Sequence, residues 1–170
     1  MVTRRLWCGV GLASIIMFGC GPDVSASSPA GTSFSGYRTI AYAGRSEAPP
    51  EGYARAELPP EARATALSAA EQTLRDKGWR AAAVEDADVV VYAGIGRRTR
   101  LERFSSVTGQ SYEVPVEKGT IVLDAYDRRT GAPVWRGQVE GTVRPPVDDL
   151  QALRRAVAAL LSRFPEPRPQ

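Results

Sequence analysis

Residues 119–143, GTIVLDAYDRRTGAPVWRGQVEGTV, carry the pattern that decides the fold. On both arms of this stretch apolar and polar side chains alternate, which is typical of a strand that is buried on one face. The alternating apolar residues are Ile121, Leu123, Ala125, Trp135, Val139 and Val143. Between the arms, Asp127 can bond its own turn backbone and Gly131 can adopt a positive φ. The stretch therefore predicts a long antiparallel β-hairpin.

The chain before the hairpin predicts a strand, a loop, a helix and a second strand. Residues 37–43, YRTIAYA, have strand composition, and the proline-rich segment 44–60 is typical of a loop. A helix is predicted over 61–77, with Gly78 as its C-terminal stop. Its apolar stripe comprises Leu67, Ala70 and Leu74. The run Val89–Tyr92 predicts a central strand, because every residue in it is apolar or aromatic.

The remaining segments complete the order of elements. Residues 97–110, RRTRLERFSSVTGQ, either extend the preceding strand into a ribbon or form an exposed loop. Residues 112–116 predict a short strand, which Pro115 places at an edge. The last element is a helix capped by Asp148 or Asp149 and ended by Pro165. Its apolar stripe comprises Leu150, Leu153, Val157, Leu160, Leu161 and Phe164, and its arginines Arg154, Arg155 and Arg163 are expected to face water.

This order of elements predicts an α+β fold: a two-layer sandwich in which a mostly antiparallel sheet carries both helices on one face. A chain of 170 residues suffices for one such domain, which we assign to residues 36–165, followed by a disordered tail at 166–170. There is no histidine, so a Ser-His-Asp site is excluded, and we predict no metal site, cofactor or enzymatic activity.

The N-terminus is typical of a bacterial lipoprotein signal. Two arginines precede an apolar run at 6–18, and the sequence Met17-Phe18-Gly19-Cys20 resembles a lipobox, in which the cysteine is acylated and becomes the first residue. We therefore predict a signal peptide at 1–19, a lipidated Cys20 and a flexible tether through residue 35. The alternative is an ordinary secreted protein. Because Gly21 stands where an aspartate would favour inner-membrane retention, we expect the outer membrane, with the domain facing the periplasm.

The motifs 86–94 (DADVVVYAG), 119–141 and 153–165 (LRRAVAALLSRFP) resemble, in order and spacing, bacterial envelope lipoproteins that carry the domain of unknown function forty-one thirty-six. The matching residues are Asp88, Gly119, Asp124 or Asp127, Trp135, Arg136, Gly137, Phe164 and Pro165. This resemblance implies an exported, lipid-anchored α+β domain. It implies no catalytic residues.

Two groups of charged residues are candidates for function. The acidic group is Asp86, Asp88, Asp124 and Asp127, and the basic group is Arg97, Arg98, Arg100 and Arg103. A facing pair of carboxylates could hydrolyse glycosides, although aspartates beside strands and turns more often have structural roles. The arginines could bind lipid phosphates or an acidic envelope partner, or could simply be solvated. Removal of Arg4 and Arg5 lowers the formal net charge from +3 to +1, so we expect no nucleic-acid partner.

Two further features are interpreted structurally. Trp135 is expected in the core beneath a helix rather than as an exposed ligand platform. Gly94-Ile95-Gly96 lacks the third glycine and the following helix of a dinucleotide-binding motif. We therefore predict a lipid-anchored envelope protein that acts as a non-enzymatic interaction module. The alternatives are an envelope hydrolase with paired aspartates and a periplasmic carrier of lipids or small ligands.

Overall fold

The fold was analysed in a computed structural model, which describes residues 22–45, 51–142 and 149–167. The elements are, in chain order, β1 (Asp23–Ser27), β2 (Thr39–Arg45), β3 (Ala54–Arg55), α1 (Pro60–Asp76), β4 (Arg80–Ala81), a 3-10 turn (Val84–Asp86), β5 (Val89–Ser105), β6 (Ser111–Asp127), β7 (Pro133–Thr142) and α2 (Leu150–Ser162). Seven strands form one sheet in the order β1-β7-β6-β5-β2-β4, and β3 pairs with β5. Only the β2 pairs, with β4 and with β5, are parallel among these strands. The predicted α+β sandwich is confirmed.

The core lies between one face of the sheet and the two helices. The predicted hairpin is confirmed as β6 and β7, with its turn closed by a backbone bond from Gly131 to the Asp127 carbonyl at 2.8 Å. Buried residues of both layers form one cluster: Ile40, Ala69, Ala70, Leu74, Trp79, Val89, Val91, Leu123, Ala125, Trp135, Val139, Val157, Leu160, Leu161 and Phe164 are among them. Val143, predicted to share the inner face, lies outside the described residues.

Both helices form where they were predicted, but the burial of one residue, Leu67, was predicted wrongly. Asp149 caps α2 by accepting a bond from the Ala152 backbone at 2.8 Å, and Asp148 lies outside the described residues. In α1, Ala70 and Leu74 are buried as expected, but Leu67 is 42% exposed. The prediction for Leu67 was wrong because α1 turns a face of small residues inward, including Ala62 and Ala69, and these allow close packing.

The predicted flexible tether is wrong for part of its length. Asp23–Ser27 forms β1, which pairs antiparallel with β7 from Asp23↔Glu140 to Ser27↔Arg136. Phe34 is also buried, with its ring 5.9 Å from that of Phe164. Composition misled here, because an edge strand is held by the backbone bonds of its neighbour and needs few apolar side chains. The predicted signal peptide and Cys20 lie outside the described residues.

The two interpretations left open for residues 97–110 resolve in favour of a ribbon. β5 continues to Ser105 and β6 begins at Ser111, so the two strands pair over seventeen residues each. Beyond the rung Arg98↔Lys118 they pair with no other described strand, and Pro115 therefore lies at an edge, as predicted. We call residues 99–117 the distal ribbon.

Candidate functional site: a polar cleft beside the first strand

A cleft of about 340 Å³ opens on the face of the sheet that the helices leave uncovered. Side chains from β1, β5 and β7 form its floor, and the segment before β3 forms one wall. The lining residues are Asp23, Ser25, Glu51, Tyr53, Arg98, Arg100, Gln138 and Glu140. All of them are polar or charged apart from the ring of Tyr53. We call this recess the polar cleft.

Gly96 allows Tyr53 to form the wall of the polar cleft. A Cβ at position 96 would stand 2.6 Å from the Cβ of Tyr53, a distance that real side chains do not reach. Pairing of Ala54 and Arg55 with β5 holds the segment in this position, and Tyr53 is buried as a result. Packing against Tyr53 therefore explains Gly96, the second glycine of Gly94-Ile95-Gly96.

Arg98 is the central charged group of the cleft. Its Nη2 donates to the Glu140 carboxylate at 2.7 Å, and its guanidinium carbon lies 4.5 Å from the centre of the Tyr53 ring. The buried Arg98 Nε and the Tyr53 hydroxyl have no hydrogen-bond partner among the described residues. Buried polar groups are usually satisfied, so these two unsatisfied atoms are unusual.

Acidic groups outnumber basic groups in the polar cleft. Asp23, Glu51 and Glu140 face Arg98 and Arg100, and Glu140 already neutralises Arg98. Burial, and then the neighbouring Asp23 on β1, raise the pKa of the Glu140 carboxyl above its ordinary value. Both effects disfavour a second negative charge there. A ligand that carried a positive as well as a negative group would therefore fit this cleft better than a purely anionic one.

The four candidate arginines do not form one patch. They lie on a strand rather than in a loop, and successive strand residues point to opposite faces. Arg98 and Arg100 line the polar cleft, whereas Arg97 and Arg103 lie on the other face. There they pair across the strands with Glu117 at 3.2 Å and with Glu113 at 3.1 Å. Arg100 makes no ion pair with any residue that the structure describes.

Asp88 and Asp127 have structural contacts. Asp88 accepts bonds from the backbone of Arg38 and from the backbone and hydroxyl of Thr39, at 2.7 to 2.8 Å, and so joins β2 to β5. Burial raises the pKa of Asp88, but these bonds outweigh it and the pKa is lowered overall. Asp127 accepts from the Tyr37 hydroxyl and from the Thr130 backbone, each at 2.7 Å.

The Tyr37–Asp127 bond shifts the pKa of both partners. The Tyr37 hydroxyl is the main cause of the lowered pKa of Asp127, and the Thr130 bonds and Arg129 lower it further against the effect of burial. In return, burial and the bond to Asp127 raise the pKa of Tyr37 to about 12. The bond thus joins the segment before β2 to the hairpin turn.

The other two aspartates do not join them in a catalytic pair. Asp124 lies three residues before Asp127 and hence on the opposite face, where it pairs with Arg136 at 3.4 Å. Asp86 lies in the 3-10 turn and is exposed. Among the described residues no three acidic or cysteine side chains come together as metal ligands.

Trp135 is in the core, as predicted. It is 3% exposed, and its ring lies 4.8 Å from that of Phe164. A second recess in the described part of the chain lies beside α1 and has a volume of about 30 Å³, which is room for one water. Neither of these two recesses is an apolar cavity of several hundred cubic ångströms, as a lipid carrier would need.

Sequence reasoning found two residues of the cleft, Arg98 and Arg100, and missed the others. Asp23 was assigned to a tether, and Tyr53 to a loop without a role. The one available signal was Gly96, because a glycine inside a strand often marks the close approach of another segment. Glu140 gave no signal, since a charged residue in an alternating strand is expected to be solvated.

Neither described helix has the length and apolar character needed to span a membrane. Residues 24–166 match the family described as "Domain of unknown function (DUF4136)". A comparison with the curated proteins found no match.

Several solved structures are similar to this chain, among them the following three. A PDZ domain protein from Parabacteroides distasonis is 10% identical with a TM-score of 0.53, and the match covers 85% of this chain but only 36% of that one. A DUF4136 family protein from Bacteroides thetaiotaomicron is 14% identical with a TM-score of 0.51, covering 84% and 95%. A minor lipoprotein from Acinetobacter baumannii is 12% identical with a TM-score of 0.38, covering 75% and 89%. The first two likenesses concern the fold alone, and the third is too distant to support an argument.

Proposed function

The chain belongs to the DUF4136 family, and we propose that it is a lipid-anchored cell-envelope protein whose domain is a non-enzymatic binding module. The polar cleft is its ligand-binding surface. The observation that carries this proposal is the contrast between two sets of charged groups. The aspartates considered for catalysis are held in structural contacts or scattered over both faces, whereas the polar cleft brings Arg100, which has no ion pair with a described residue, together with the carboxylates of Asp23 and Glu51.

The anchor in this proposal is the lipidated Cys20, attached to the outer membrane with the domain in the periplasm. Support comes from the lipobox-like sequence, and β1 starts only three residues after Cys20. Three residues reach at most about 10 Å. Asp23, and with it the polar cleft, would therefore lie close to the lipid headgroups.

The ligand proposed for the polar cleft is a small zwitterion that carries a phosphate and an amine. Arg100 would bind the phosphate, and the carboxylates of Asp23 and Glu51 would bind the amine, because each partner is of opposite charge. Phosphoethanolamine, free or as a lipid headgroup, has this chemistry. The hydrolase and carrier alternatives gain no support from the described residues.

The anchor is tested by the intact mass of the protein extracted from membranes of a bacterial host. The expected mass is that of a chain beginning at Cys20 with acyl chains attached. A bare chain recovered from the soluble fraction would contradict the anchor and favour an ordinary secreted domain.

The cleft is tested by titrating the protein with phosphoethanolamine, phosphate and ethanolamine separately. We expect the zwitterion to bind most tightly, and Arg100→Gln to weaken its binding at least about tenfold, which corresponds to one lost charged hydrogen bond. The matched control is Arg97→Gln with Arg103→Gln, which removes two arginines from the opposite face of the same strand. Equal effects of the two variants would exclude the cleft as the binding site.

A further inference from the structure

The distal ribbon carries most of the large exposed apolar side chains that the structure describes. Five of those seven lie on it: Leu101, Phe104, Val107, Tyr112 and Val114. Single exposed apolar residues need no explanation, but a cluster of them marks a surface that binds something. What the cluster binds depends on the face of the ribbon that its members occupy.

Strand alternation places an apolar stripe on the same face of the sheet as the polar cleft. Arg100 lines the cleft, and Phe104 lies four residues further along β5 with no shift of register between them. Their partners on β6 share that face, and so does the alternate residue between those partners. The apolar stripe consists of Phe104, Tyr112, Val114 and the half-buried Val116. Leu101 lies on the opposite face.

The charged and apolar groups of this face follow one order along the strands. The pairings of β1, β7, β6 and β5 place Asp23 on the rung of Gly96. Arg100 comes four rungs further and Phe104 another four, so each step is about 13 Å. The face therefore presents a carboxylate, then a cation, then aromatic rings. A lipid with a phosphoethanolamine headgroup has the complementary order of amine, phosphate and acyl chain.

Arg100 is the cation that an anionic group meets between the polar cleft and the apolar stripe. Lys118 Nζ lies 2.7 Å from the Glu102 carboxylate, so these two charges neutralise each other across the rung of Arg100. Beyond that ion pair the residues 104–112 carry no charge. Phe104 and Tyr112 stack there with ring centres 6.0 Å apart and are 42% and 52% exposed, so apolar surface remains to be covered.

We propose that the ligand of the polar cleft is a lysophosphatidylethanolamine whose single acyl chain lies along the apolar stripe. The inference rests on the proposed function, which assigns the amine and the phosphate to the cleft. It adds the source of the headgroup, a lipid rather than free phosphoethanolamine. Because the stripe is only two strands wide, it accommodates one acyl chain rather than two. The chain stays open to water on one side, so the site recognises a lipid without enclosing it.

The test compares the same headgroup with and without an acyl chain. The full lipidated protein, held in nanodiscs of phosphatidylglycerol, is titrated calorimetrically with glycerophosphoethanolamine and with decanoyl lysophosphatidylethanolamine. The heat from empty nanodiscs is subtracted. The lysolipid should bind at least about tenfold more tightly, which corresponds to burial of roughly 55 Å² of apolar surface. Decanoyl lysophosphatidylglycerol, which has the same chain but no amine, should bind more weakly than the ethanolamine lysolipid.

Variants of the ribbon locate the acyl chain. Phe104→Ser combined with Tyr112→Ser should remove most of the gain in affinity that the chain provides. The matched control is Leu101→Ser, which removes a more exposed apolar side chain from the opposite face of the same ribbon and should retain the gain. The melting temperature of each variant shows that it is folded.

Equal affinities for glycerophosphoethanolamine and its lysolipid overturn the inference and leave the headgroup site standing. A gain that survives the two serine substitutions, or that Leu101→Ser also abolishes, overturns it because the chain then lies elsewhere. Equal binding of the two lysolipids overturns it because the contact is then apolar only. A dimer that the two serine substitutions dissolve, with no gain from the acyl chain, shows a second copy on the stripe and overturns it. Absence of binding by all three ligands overturns the proposed headgroup site as well.

Discussion

The two halves of the β5–β6 pair share one ladder of hydrogen bonds but differ in burial. In the proximal half, which comprises residues 89–98 and 118–127, Val89 and Val91 are 0% and 1% exposed, whereas in the distal ribbon Leu101 and Phe104 are 63% and 42% exposed. The strands are continuous and the register does not shift between Val89↔Asp127 and Ser105↔Ser111. The difference therefore arises from what covers the strands rather than from the strands themselves.

The two halves differ in what stabilises them. The proximal half is covered by both helices, so its stability comes from buried apolar area. The distal ribbon is held by its ladder and by cross-strand pairs, and exposed ion pairs such as Arg103–Glu113 contribute little. The distal ribbon therefore contributes little to the core.

The largest effect is expected from shortening the aromatic residue that anchors the proximal half. Trp135→Ala should lower the free energy of unfolding by about 3–5 kcal/mol, because Trp135 fills the space between α2 and the sheet. The matched change in the distal ribbon, Phe104→Ala, removes one partner of an exposed stacked pair and should lower it by less than about 1 kcal/mol. Chemical denaturation of both variants measures the difference. Similar losses would mean that the ribbon belongs to the cooperative core.

The second-largest loss of stability is expected from adding a single methyl group beneath the ring of Trp135. A Cβ at Gly137 would stand 2.2 Å from the Trp135 ring and 2.7 Å from Leu160, so Gly137→Ala should destabilise by about 1–3 kcal/mol. Gly141 lies on the same strand with nothing within 4 Å of an added Cβ, and Gly141→Ala is the control. The melting temperature should fall for the first variant and stay or rise for the second. No loss in Gly137→Ala would show that Trp135 can move aside.

The sequence predicted the proximal half well because its pattern reflects burial. Alternation in β6 and β7, and the helical spacing of Leu160, Leu161 and Phe164, exist because these residues face one core. The distal ribbon packs against no core, so its sequence carries no such pattern and is compatible with either a ribbon or a loop. Its strand structure follows from β5 and β6 continuing past the end of the sheet.

The polar cleft could not be predicted because its residues are distant in sequence. Asp23, Tyr53, Arg98 and Glu140 come from four segments that only the sheet order brings together. The arginine group was misjudged for a related reason. Without a strand assignment for 97–103, nothing indicated that the alternation of a strand would send Arg97 and Arg103 to the face opposite Arg98 and Arg100.

The smallest effect is expected from the hydrogen bond between Tyr37 and Asp127, which joins the segment before β2 to the proximal half. This effect depends on pH. Asp127 has a lowered pKa in the folded chain, so its contribution to stability is present above its ordinary pKa of about 4. That contribution is lost as the pH falls through the folded value. Asp127→Asn should therefore cost about 1 kcal/mol near neutral pH, since a charged acceptor for Tyr37 and Thr130 is replaced by a neutral one. The difference in free energy of unfolding between Asp127→Asn and the unchanged chain should disappear at the lowest pH, where Asp127 is protonated.

The measurement is the free energy of unfolding of both proteins from neutral pH down to about pH 2. Asp124→Asn is the matched control, because Asp124 lies on the same strand and its ion pair is with a largely exposed arginine. We expect a flatter acid limb for the Asp127 variant alone. Parallel curves for Asp127→Asn and the unchanged chain would mean that the Tyr37 bond does not depend on the charge. The segment before β2 would then be held by Phe34 packing on Phe164 and Trp79, which is an apolar contact like those of the rest of the proximal half.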